Sequence, residues 1–122
     1  MTGKNIFDRA CDLLGYNSSG ISFNDSVLIA RCDSIIHAVY NDLANELKQS
    51  GVIDEILPLR NMNEPISLPQ TVLNDCFLFG VAMWIAQSEN DGDNQRFFAR
   101  LYEYKRDFYR KNAAFAVIDD VL

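Results

Sequence analysis

Val72-Leu-Asn-Asp-Cys-Phe-Leu-Phe-Gly-Val-Ala-Met-Trp-Ile-Ala86 carries no polar side chain after Asp75. A helix that is apolar on nearly every side belongs inside a packed bundle, so this stretch predicts the core helix of an all-α domain. Pro69 suits its first turn, because the N–H that proline lacks would be an orphan there and its φ is already helical. We draw the helix over 69–88. The apolar run falls short of the roughly 18 consecutive residues of a membrane span, and Asp75 interrupts it. Leu73, Phe77, Met83, Trp84 and Ile85 are expected in the core. Each large side chain contributes about 1.5–3 kcal/mol when fully buried, against about 1 kcal/mol for glycine in place of alanine at Gly80. Gly80 is read as a point where another helix comes close.

Outward from this helix, three more amphipathic segments complete a predicted four-helix bundle. Ile6, Phe7, Ala10, Cys11 and Leu14 fall at three- and four-residue spacings over 4–14, and Gly15 ends that helix. After a turn-rich loop at 16–20, Asn24 is the expected N-cap of a long helix over 25–49. Its core face holds Leu28, Ile35, Val39 and Leu43. The acidic turn 88–94 leads into a fourth helix over 94–111, capped by Asp91 or Asp93. Phe97, Leu101, Tyr104 and Phe108 form one stripe on it, with Phe98, Tyr102 and Tyr109 beside them. Phe97, Leu101 and Phe108 are assigned to the core. Between the second and third helices the period changes, and the prolines among Ile56-Leu57-Pro58-Leu59 and Pro65-Ile66-Ser67-Leu68 suggest a short hairpin or extended arm at 56–68, confined to an edge. An arm with an unpaired edge suits partner contact, and a plain connector between antiparallel helices is an equal reading.

The 122 residues fit one domain with one core. Apolar residues at 48% and charged residues at 23% are ordinary for a globular chain. The formal net charge of -6 speaks against a dedicated nucleic-acid surface, and no secretory h-region opens the chain. Cys11, Cys32 and Cys76 sit singly in apolar helical patterns and read as buried thiols. Zinc is rejected, since structural sites draw ligands from close pairs, and His37 falls on the polar side of its helix, away from Cys32. The acidic turn lacks the order of an EF-hand loop. No nucleophile and base pair, metal set or phosphate loop is legible, so no catalytic residue, metal or cofactor is assigned.

Six of the eleven basic residues, Arg96, Arg100, Lys105, Arg106, Arg110 and Lys111, lie on the fourth helix. They raise an alternative: a small cytoplasmic regulator that binds nucleic acid through this helix. Glu103 and Asp107 share the face at pairing distances, which favours a solvated or subunit-facing surface instead. The segment 113–122 is rich in large apolar residues, which must cover the protein's own core or a neighbour. The candidate interface residues are therefore Leu57, Leu59, Arg60 and Ile66 of the arm with Phe115, Val117, Ile118, Val121 and Leu122 of the tail.

Several features taken together resemble the small helical head-to-tail connector (adaptor, or head completion) proteins of long-tailed bacteriophages and prophages. They are the helix ending Asp12-Leu13-Leu14-Gly15-Tyr16, the long second helix, and Ile66-Ser67-Leu68-Pro69 leading into a helix with Phe79-Gly80-Val81-Ala82. The turn Asn90-Asp91-Gly92-Asp93 and the aromatic helix with Leu101-Tyr102-Glu103-Tyr104 complete the pattern. The order of parts covers nearly the whole chain, and no catalytic signature belongs to the pattern. The resemblance implies a non-enzymatic virion protein, made in the host cytoplasm, that forms a homo-oligomeric ring between the portal and the tail. Its partners would be copies of itself and neighbouring portal and tail proteins. DNA could pass through such a ring without being bound by sequence, and no membrane is involved.

Overall fold

Among the described residues, four helices form one bundle and there is no strand. The structure, a computed structural model, describes residues 1–15 and 26–112, with side chains at 1–15 and 30–112. The expectations for Asn24, for Leu28 and for the interface residues Phe115, Val117, Ile118, Val121 and Leu122 lie outside the described residues.

Helix α1 (Gly3–Leu14) starts one residue before its expected position, because Thr2 and Asn5 close a reciprocal cap. The Asn5 amide donates to the Thr2 hydroxyl at 3.2 Å and the Thr2 amide donates to Asn5 Oδ1 at 3.0 Å, so two orphan donors are satisfied at once. Gly15 ends the helix at φ 76°, the left-handed region that favours glycine. Helix α2 (Ser26–Gln49) follows the expected span. The third helix, α3 (70–88), is a regular helix interrupted by a wide π turn at Leu73–Phe77. Helix α4 (Gly92–Lys111) begins two residues early, with the Asp91 side chain accepting from the Asn94 amide.

Helix α3 sits at the centre and packs most extensively on α4 and α1. Gly80 does what its position predicts: a Cβ there would lie 2.7 Å from the Tyr102 ring and 3.0 Å from Val39, so its bare backbone lets α2 and α4 converge on α3. Phe77, Ile6, Phe7, Ile36, Leu43 and Leu47 are fully enclosed. Of the expected core, Ile35, Val39, Leu43, Leu73, Phe77 and Ile85 are buried.

Five assignments need correction. Trp84 is 38% exposed and Phe97 56% exposed, while Met83, Leu101 and Phe108 are only half-buried. On α4 the buried stripe is Phe98, Tyr102 and Tyr109, about one residue or 100° round the helix from the stripe assigned to the core. The reason is polar. Tyr102 and Tyr109 can enter the interior because Asp42 and Asp75 accept hydrogen bonds from their hydroxyls, and the neighbouring stripe is rotated outward. On α3, apolar residues run all round the helix, but its three neighbours cover only part of the circumference.

The segment after α2 is an extended arm and not a hairpin. Its residue Pro65 forms an isolated antiparallel bridge with Thr2. The Lys4 amide donates to the Met62 carbonyl at 2.8 Å, and the Ile66 amide donates to the Met1 carbonyl at 3.0 Å. The edge expected to be unpaired is thus occupied by the chain's own N-terminus from Met62 to Ile66. Ile66 is 5% exposed and belongs to the core, which removes it from the candidate interface.

Candidate interaction surfaces

Among the described residues, large apolar side chains are exposed at the tip of the arm, along a stripe on α4, and singly at Leu13 and Trp84, and one flank of α4 is charged. The charged flank lies along α4 where it faces α2. Arg106 donates to Asp42 at 2.7 Å, alongside the Tyr102 hydroxyl on the same carboxylate. Arg110 is bound to Asp107 and lies 3.6 Å from Glu46. Lys111 reaches Asp107 at 3.1 Å, and Arg96 reaches Asp93 at 2.6 Å. On the opposite side of the buried stripe, Lys105 sits 3.4 Å from Asp75. Of the six basic residues of this helix, Arg100 alone has no carboxylate partner among the described residues. A groove of about 600 Å³ runs along the flank, where Arg100, Arg106 and Arg110 are set against Glu46, Glu103 and Asp107, and Tyr104 also lines it. Its charges cancel, so it offers phosphates little net attraction.

The π turn places Asp75 where both Tyr109 and Lys105 reach it. The Tyr109 hydroxyl donates to Asp75 Oδ2 at 2.8 Å, and the Cys76 amide caps the other carboxylate oxygen. Wide turns of this kind often mark functional sites. Here the carboxylate is satisfied by the chain itself, and its role is to latch α3 to α4. Burial of Tyr102, with the Asp42 carboxylate accepting a hydrogen bond from its hydroxyl, holds that phenol protonated far above the ordinary tyrosine range.

The three cysteines are buried and free, as their spacing suggested. Burial pushes Cys11 up to about 11 and Cys32 to about 12, and raises Cys76 further. Such thiols stay protonated and are poor metal ligands and poor nucleophiles. Among the described residues, no three His, Cys, Asp or Glu side chains converge as a metal-holding group.

The first apolar surface is the tip of the arm. Ile56 is 36% and Leu57 44% exposed, and Arg60 is exposed beside them. Leu59 is half-buried and turned inward against the core. The tip is held by its backbone: the Tyr40 hydroxyl donates to the Leu57 carbonyl, and the His37 ring contacts the Leu59 carbonyl at 2.8 Å. Side chains of α2 thus grip the main chain and leave Ile56 and Leu57 facing out. His37, expected to be a bystander on a polar face, is one of the two grips. Its partner lies 22 residues away in an irregular segment, and no periodicity within α2 could have shown it.

The second surface is the stripe on α4. Phe97 and Tyr104 are the most exposed large apolar residues described, and half-buried Leu101 and Phe108 lie between and beyond them at helical spacing. Phe97 stands edge-on to buried Phe98 at 5.1 Å, which in turn meets Phe79 at 6.2 Å, so the exposed ring is backed by a fixed aromatic series. Because Arg106 and Arg110 turn toward α2, the stripe occupies the flank of α4 on the far side of the buried tyrosines.

Compared with protein-family models, curated proteins and solved structures, the chain matches none.

Proposed function

We propose that this protein is a ring-forming head-to-tail connector of a long-tailed phage or prophage particle, a non-enzymatic module that joins the portal to the tail. The observation that carries the reading is the presence of two different outward apolar surfaces on one subunit: the Ile56-Leu57 tip gripped by α2, and the Phe97 to Phe108 stripe on the far flank of α4. A two-fold dimer needs only one self-complementary patch. A head-to-tail contact needs two unlike ones, and where its rotation closes it makes a ring. The tip of one copy would meet the stripe of the next, and the apolar segment 113–122 would add contact to a neighbouring subunit or to the portal.

The internally paired charges of α4 support assembly over the alternative of nucleic-acid binding, since five of the six basic side chains on that helix already have carboxylate partners. Sedimentation velocity over rising protein concentration, at low and at high salt, tests the reading. A connector associates through its apolar surfaces and keeps doing so in high salt. A phosphate binder stays monomeric alone, shifts with added DNA, and loses that shift steeply as salt rises; this result would overturn the proposal.

A further inference from the structure

The imidazole of His37 is the only one in the chain, and it is placed between two acceptors that cannot donate. Nδ1 lies 2.8 Å from the Asp33 carbonyl oxygen, and Nε2 lies 2.8 Å from the Leu59 carbonyl oxygen. A carbonyl only accepts, so each contact requires an N–H on the ring. A neutral imidazole has one N–H and an imidazolium has two. We infer that His37 is a proton-operated clasp on the arm: doubly protonated, it ties α2 to the arm through both nitrogens, and on losing a proton it lets the Leu59 carbonyl go.

The geometry also says which proton leaves. Nδ1 faces the Asp33 carbonyl and, at 3.5 Å, Asp33 Oδ1, a buried oxygen that has no hydrogen-bond partner. Nε2 faces a single neutral carbonyl. The surviving proton therefore stays on Nδ1, and the bare Nε2 lone pair is left pointing at the lone pairs of the Leu59 oxygen. Among the described residues, the Asp33 carboxylate on α2 is the charge that acts on the ring. From the arm, Leu59 presents its carbonyl, and the adjacent Arg60 is paired with Glu64 at 3.8 Å. The two carbonyl contacts, Asp33's first, hold the ring's pKa above the ordinary histidine value, while its partial burial pulls the other way. The sign follows from linkage. The stability that the clasp contributes is present in full below about pH 6.5, the ordinary histidine value, and is lost as pH rises through the raised value of the folded state. Tyr40 still holds the Leu57 carbonyl, so the arm loosens at Leu59 without leaving the bundle. The clasp does not depend on the arm being an assembly surface.

A single histidine makes the test direct. Long-range proton–nitrogen NMR spectra of the ring, with the carbonyl carbon shift of Leu59, are recorded on the full chain from pH 5.5 to 9. The expected result is a midpoint above the ordinary value, Nε2 and not Nδ1 becoming the bare nitrogen, and the Leu59 carbonyl titrating with the same midpoint. In His37→Gln, the Leu59 carbonyl shift is flat over that range. A midpoint at or below the ordinary value, loss of the proton from Nδ1, or a Leu59 carbonyl that does not follow the ring would each overturn the inference. If His37→Gln does not fold, the three readings on the unaltered chain decide it alone.

Discussion

The two flanks of α4 meet the solvent in opposite ways. On the flank toward α2, charged side chains are plentiful, yet Arg106 and Arg110 have carboxylates within the same chain. On the other flank Phe97 is 56% exposed, and Tyr104 stands where this flank meets the charged groove. The helix separates the flanks with a buried stripe of Phe98, Tyr102 and Tyr109. A run of basic residues is therefore a poor guide to where a partner binds, because exposed ion pairs contribute about 0–1 kcal/mol each and are already satisfied. The uncovered apolar flank is the better guide, since hiding it from water is favourable at about 25 cal/mol per Å².

The contrast can be broken most forcefully at the stripe between the flanks. Tyr102→Ala should cost about 3–5 kcal/mol, because it empties a buried aromatic site and also strips Asp42 of its hydroxyl donor. A melt within a degree or two of the parent would mean that the stripe is not the divider. Gly80→Ala should cost about 1–3 kcal/mol by overpacking, since the added methyl would sit 2.7 Å from the Tyr102 ring. Chemical denaturation would show it, and an unchanged midpoint would imply that α3 and α4 are less closely apposed than described. At the small end, Phe97→Asp and Leu57→Asp should each stay within about 0.5 kcal/mol of the parent, as surface substitutions usually do. A loss of several kcal/mol at either would place that residue in the subunit's own core and remove it from any interface.

Much of the architecture was legible in the residues themselves. Gly15 and Asp91 mark helix ends by their chemistry, and Gly80 announces a close approach because no larger residue fits an otherwise large-residue run. The failures have a common physical source. Periodicity finds an apolar face but cannot say which of two neighbouring faces turns inward, and on α4 Phe97 and Phe98 are adjacent in sequence while only Phe98 is enclosed. The deciding partners, Asp42 and Asp75, lie on other helices 60 and 34 residues away from their tyrosines. Trp84 was misplaced for a related reason: in a helix apolar all round, hydrophobicity alone does not reveal where its neighbours stop. The arm was visible from its prolines, but the N-terminal residues that pair with Met62 and Ile66, and the His37 grip on Leu59, are long-range main-chain contacts that leave no mark on side-chain pattern.

In the proposed ring, one copy's arm tip meets the next copy's α4 stripe. Sedimentation velocity on Leu57→Asp, on Phe97→Asp and on an equimolar mixture of the two tests it most directly, because each variant keeps one of the two surfaces intact. The unaltered chain is expected to associate beyond a dimer and each variant alone to stay monomeric. The mixture should form a one-to-one dimer that grows no further, because its single good pair of surfaces is used once. Variants that still assemble alone, or a mixture that stays monomeric at concentrations where the unaltered chain associates, would contradict it.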